Sequence, residues 1–212
     1  ELAFIASFLD GGWRQQELCL IVAYDVPHEE VIKRLAQFVD PSEKMDSGAL
    51  LILDLWIEVS ADSDFSGSIF VTSNPRDFNT VRKISYELAG QIPERIQRGK
   101  FRGIRDVTYS LSSLIMNYKF ETAYKWSEVG LDLARRSNVT TLTVLNPKMF
   151  DETSVAAFEH LNDSIIALGM KEHGNTFQRY IRVKQSPIAG FSTELVPYSI
   201  VNKRPLLQKQ SR

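Results

Sequence analysis

Apolar runs of strand length alternate with helix-patterned segments along most of this chain, and that alternation limits the folds open to it. "ELCLIVAYDV" ends at Asp25 and Pro27, and "ALLILDLW", "GIRDVTY" and "VTTLTVLNP" follow the same form. Near-continuous apolar runs predict strands covered on both faces. Helical patterns lie between them. "PHEEVIKRLAQF" puts Pro27 in a first turn and acids near the positive end of the helix dipole. Val81, Ile84, Leu88 and Ile92 recur at three- and four-residue spacing behind the turn "SNPRDFN". "YKFETAYKWSEVGLDLARRS" carries Phe120, Tyr124, Leu131 and Ala134 on one side. "DETSVAAFEHL" predicts a short helix and "DSIIALGMK" a fifth strand.

The remaining pieces frame these. "ELAFIASFL" predicts a helix, with Gly11 and Gly12 beyond it, where glycine is the usual terminator. "SADSDFSGS" reads as a surface loop, "FQRYIRVKQ" and "ELVPYSIV" as a closing antiparallel pair. The order predicts an α/β domain with a mostly parallel central sheet and antiparallel strands added at one edge. No repeat or long linker divides it, so one domain is expected over residues 1–202, with a basic tail at 203–212.

Composition removes several function classes. Hydrophobic residues make up 43% and charged residues 24% of the 212 positions, which suits a soluble globular core. A net charge of −1 gives no global attraction to nucleic acid or anionic membrane. No apolar run approaches the roughly 18 to 20 residues that span a bilayer. "ELAFIASFL" also lacks the basic leader and cleavage site of a signal peptide. The single Cys19, inside "LCLIVAY", reads as a small buried thiol; it permits no internal disulfide and suits a reducing cytoplasm.

Motifs for common chemistries are missing. His28, His160 and His173 are scattered, with no CxxC or HxxxH, so no metal site is expected. Ser110, Ser112 and Ser113 follow a strand but lack the glycines of a GxSxG elbow. No GxGxxG stands between a strand and a helix. Arg95, Arg98, Lys100, Arg102 and Arg105 fall within "RIQRGKFRGIR" with no acid among them. That cluster reads either as a surface for an acidic or phosphate-rich partner or as a solvated loop. Its one aromatic, Phe101, is too little for stacking on bases.

Several stretches together resemble the KaiC-like branch of the RecA-fold P-loop ATPases, a branch abundant in archaea. "ELCLIVAYDVPHEEVIKRLAQF" is similar to the strand, acid-rich turn and helix of that family, and "GALLILDLW" to its next strand. "VTYSLSSLIM" resembles the Walker B strand, and "RYIRVKQSPIAGFSTELVPYSI" the closing hairpin. The most specific likeness is "TLTVLNPKMFDETSVAAFEHLNDSIIAL". The resemblance covers nearly the whole chain and implies a RecA-like three-layer fold ending in an antiparallel hairpin.

The same resemblance implies where the ATPase chemistry would stand, and the charged groups are largely missing. GxxxxGK[ST], whose amides and lysine hold phosphates, does not occur in these residues; the resemblance places it just before Glu1. Tyr109 occupies the place of the Walker B acid, and a phenol of pKa about 10 stays neutral. The acid-rich turn keeps Asp25 but has Val26 beside it. Of the basic residues that would reach a neighbouring subunit's nucleotide, only Lys184 remains. Phosphoryl transfer depends on such positioned charge.

A degenerate, non-hydrolysing regulatory or signalling module is therefore expected, working through a protein partner or self-association. Its surfaces would be the basic cluster, the last hairpin and the tail. The alternative is an ATP-binding or ATPase switch whose P-loop lies upstream of residue 1, with ATP and magnesium as cofactors only in that case. A DNA-recombinase relationship fits the neutral charge poorly. The resemblance also implies a further apolar strand before Glu1, since the strand preceding a P-loop is paired on both sides.

Overall fold

The computed structural model describes residues 1–56, 67–72, 74–174 and 176–208. Most of "SADSDFSGS" and the last four residues of the expected tail lie outside the described residues. The core is a parallel sheet of β1 (Glu17–Ala23), β2 (Leu50–Asp54), β3 (Ile69–Val71), β4 (Gly103–Tyr109) and β5 (Val139–Thr143), in the order β3-β2-β1-β4-β5. All five residues of β2 are buried, as a strand covered on both faces requires.

Successive residues of each strand feed opposite layers. Cys19 and Ile21 point to one side, packing with Ile5 and Leu9 of α1 (Leu2–Arg14) and with Val31 and Leu35 of α2 (His28–Leu35). Leu18, Leu51 and Leu53 meet Val81, Ile84 and Leu88 of α4 (Phe78–Gly99) on the other side. Those three α4 positions belong to the spacing seen in the sequence, and Asp77 caps the helix by accepting from the amides of Asn79 and Thr80. The second layer is completed by α5 (Leu111–Asn117), α6 (Phe120–Arg136) and α7 (Glu152–His160). A one-turn α3 (Ser42–Asp46) leads into β2. Three layers result. No helix of the described residues is long and apolar enough to cross a membrane.

The C-terminal strands depart from expectation. β6 (Ile165–His173), β7 (Thr176–Gln185), β8 (Val196–Val201) and β9 (Arg204–Leu207) form a separate antiparallel sheet in sequence order. β6 is thus not a fifth strand of the parallel run, and the antiparallel strands are not joined to its edge. Among the described residues, β5 is bonded only to β4 and β6 only to β7, so the sheets break between β5 and β6. Side-chain contacts hold them together: Arg204 bonds Asp10 at 2.9 Å, the Phe4 and Tyr198 rings meet edge-on at 5.2 Å, and Lys184 pairs with Glu159 of α7.

Other corrections are local. Part of the expected tail is β9, paired to β8 through a two-residue turn at Asn202 and Lys203, both with positive φ. Gly11 and Gly12 do not end α1 but lie within it. A Cβ on Gly12 would stand 2.7 Å from Arg105 Cδ and 3.0 Å from Cys19 Sγ, so glycine there admits the β4 arginine against the helix. β3, α3 and α5 were not anticipated; the first two are too short, and α5 too serine-rich, to show a clear period. Cys19 is buried as expected, and burial pushes its thiol up to about 12.

Candidate functional site at the carboxyl ends of the central strands

In this strand order the chain turns from one side of β1 to the other, so β1 and β4 flank the switch point where open parallel sheets hold ligands. β1 runs out through Tyr24 to Asp25, and β4 ends at Tyr109. The Tyr24 amide donates to the Tyr109 carbonyl at 2.7 Å, which fixes the two strand ends together. Ser113, in the first turn of α5, donates its hydroxyl to the Asp25 carboxylate. Ser112 accepts from the Asn146 amide at 2.8 Å and secures the loop after β5. Ser112 and Ser113 therefore serve local hydrogen bonding.

Tyr109 is 4% exposed and packs among Ile21, Val31 and Leu35. Its hydroxyl accepts from Arg34 Nη1 at 3.0 Å, and Arg34 Nε donates to Glu30 at 2.8 Å. Burial raises the phenol pKa, with Arg34 opposing that rise only in part. A neutral phenol whose oxygen already faces a guanidinium makes a poor seat for magnesium, which seeks carboxylate and phosphate oxygens. The cavity against Tyr109, lined by Leu2, Ile5, Ile21, Val31 and Leu35, holds only about 10 Å³. The Tyr109 side chain fills the space at this strand end.

The other anticipated residues are dispersed. Lys184 is engaged with Glu159 of the same chain. The five basic residues do not share one face. Arg105 turns inward, pairing with Glu17, donating to the Phe8 carbonyl at 2.8 Å and lying 4.8 Å above the Phe8 ring. Arg95 lies 5.2 Å above the Phe70 ring and donates to the Gly67 carbonyl. Arg98, Lys100 and Arg102 are exposed, with Arg98 paired to Glu94. Conversely, His28 stands against Asp54 at the end of β2, a pairing that residues 26 positions apart do not announce.

No family model and no curated protein matches this chain. Solved structures do. A KaiC-like protein, PH0186, from Pyrococcus horikoshii superposes with a TM-score of 0.69 at 15% identity, covering 98% of this chain and 83% of that one. An uncharacterised protein from Pyrococcus horikoshii, PH0321, solved in complex with an unknown peptide, gives 0.71 at 13% identity, covering 99% and 86%. The fold is RecA-like. At these identities the likeness extends to the fold alone, and the sheet layout of the RecA-like chain agrees with it.

Proposed function

We propose that this chain is a non-hydrolysing interaction module on a RecA-like scaffold, a pseudo-ATPase of KaiC-like type that acts by binding a protein partner or another copy of itself. One observation carries the reading: at the carboxyl end of β4 a buried, neutral Tyr109 bonded by Arg34 stands where the resemblance expects a magnesium-ordering acid. Asp25, the remaining acid of the crevice, already accepts from Ser113. The unknown peptide in the PH0321 structure supports a polypeptide partner. Within the basic cluster, Lys100 and Arg102 are exposed cations that an acidic one could meet, with the Arg98–Glu94 pair beside them. A signalling role in an archaeal cytoplasm is the setting that this reading favours.

Phosphate release from magnesium ATP tests it. No turnover above background is expected, and turnover near about 1 s⁻¹, the low end for ordinary enzymes, overturns the reading. Tyr109→Asp alone is not expected to create activity, because one carboxylate does not cradle phosphates.

The break between β5 and β6 favours a second reading, an ATP-binding switch whose P-loop and its strand precede Glu1. The codons before Glu1 distinguish the two. GxxxxGK[ST] encoded there, with ATP binding by the longer chain, selects the switch; its absence selects the module.

A further inference from the structure

The described residues outside the β1–β4 crevice bring together one group of metal-ligating side chains: a nitrogen of His28 and an oxygen each of Glu29 and Asp54 lie within 4.8 Å of one another. Asp54 ends β2 and is wholly buried. Its Oδ1 accepts from the Trp56 amide at 2.8 Å, and its Oδ2 from the His28 amide at 2.8 Å. The same Oδ2 lies 2.8 Å from His28 Nδ1. A buried carboxylate committed to amide donors is an acceptor, so Nδ1 carries the proton towards it. The ring's lone pair is then on Nε2. This carboxylate–imidazole arrangement is the one that orients histidine ligands in metal sites and makes them more basic.

Nε2 faces a second carboxylate. Glu29 Oε1 lies 3.4 Å from it, longer than the usual hydrogen bond of about 2.9 Å. With metal–ligand bonds of about 2.1 Å, the edge of a zinc tetrahedron is about 3.4 Å. The separation therefore suits two ligands on one ion better than a donor and its acceptor. The His28 side chain is 19% and that of Glu29 66% exposed, so an ion has access from solvent. Their position in the first turn of α2 is mildly unfavourable to a cation, and two carboxylates oppose that effect.

We infer that His28 Nε2 and Glu29 form a two-ligand site for a divalent transition metal of the zinc class, with Asp54 as the positioning residue. Two coordination positions are left for water or for an anionic group of a partner. The site shares no residue with the Tyr109 crevice.

Cobalt(II) titration followed by d–d absorption, with zinc(II) calorimetry, tests this on the chain. One ion per chain is expected. His28→Gln and Glu29→Gln should each weaken it at least about tenfold, and Asp54→Asn about 10- to 100-fold, while His160→Gln changes nothing. Because Asp54 is buried, its variant is judged only if its thermal melt is cooperative. Glu29→Gln alters an exposed side chain and decides the matter in any case. No cobalt spectrum at millimolar metal, or equal affinity in parent, His28→Gln and Glu29→Gln, overturns the site.

Discussion

β2 and β6 are both apolar strands, yet they end in opposite environments. Leu50 to Leu53 of β2 are at most 2% exposed, enclosed by β1, β3 and helices on both faces. On β6, Ile166 is 55%, Leu168 40% and Met170 66% exposed, and one edge is unpaired among the described residues. β5, at the other side of the break, is likewise bonded on one edge alone. Apolar composition thus made both segments strands, but the number of neighbours decided how much each contributes. The inner strands hold the fold, and the outer pair contributes less to it.

The widest expected difference lies between two leucines. Leu51→Ala removes a fully buried side chain and should cost about 2 to 5 kcal/mol. Leu168→Ala should stay within about 0.5 kcal/mol in the same denaturant series. Equal losses would mean that β6 is covered in solution and would break the contrast.

A pH effect marks the border between the regions. Asp106 of β4 lies beside Thr141 of β5, and Asp106 Oδ1 and Thr141 Oγ1 are buried without hydrogen-bond partners among the described residues. Burial raises the Asp106 carboxyl from 3.8 to about 7. The folded chain then holds a proton that the unfolded chain has released, so stability falls as pH rises from 3.8 towards 7. The slope approaches about 1.4 kcal/mol per pH unit within that window and levels off above it. Asp106→Asn should flatten the curve. An unchanged slope in urea melts would locate the titration elsewhere.

Tyr109→Phe keeps the ring and loses the Arg34 bond, for an expected cost of about 1 kcal/mol. A loss below about 0.3 kcal/mol would mean that the ring alone secures the end of β4. Smallest of all, Arg98→Glu with Arg102→Glu should leave the melting temperature nearly unchanged, since both side chains are exposed. A drop of several degrees would show that these cations belong to the fold rather than to a contact surface.

Local chemistry made much of this readable. The covered strands β1, β2 and β4 stood out because their apolar runs are continuous, and α4 because Val81, Ile84 and Leu88 share one face. β3 has three residues and β9 four, too few for a period to emerge, and an Asn-Lys turn is a weaker hairpin cue than Asn-Gly. The basic run misled for a related reason. Alternate residues of a strand face opposite ways, so Arg105 turned under α1 while Arg102, outside the strand, stayed in solvent. At the end of β4 the phenol of Tyr109 was legible. Its Arg34 partner, 75 residues away, was not.

By itself the sequence determined the long covered strands and the long amphipathic helices, which faces of those helices turn inward, and that the residue closing β4 is a neutral phenol. These follow from side-chain period and functional-group chemistry, which act over a few residues. Only the tertiary structure decided the strand order, the break between β5 and β6, the burial of Arg105 on Glu17, and the meeting of His28 with Asp54. Each depends on groups far apart in the chain becoming neighbours, and such proximity leaves no mark on the local pattern that a sequence displays.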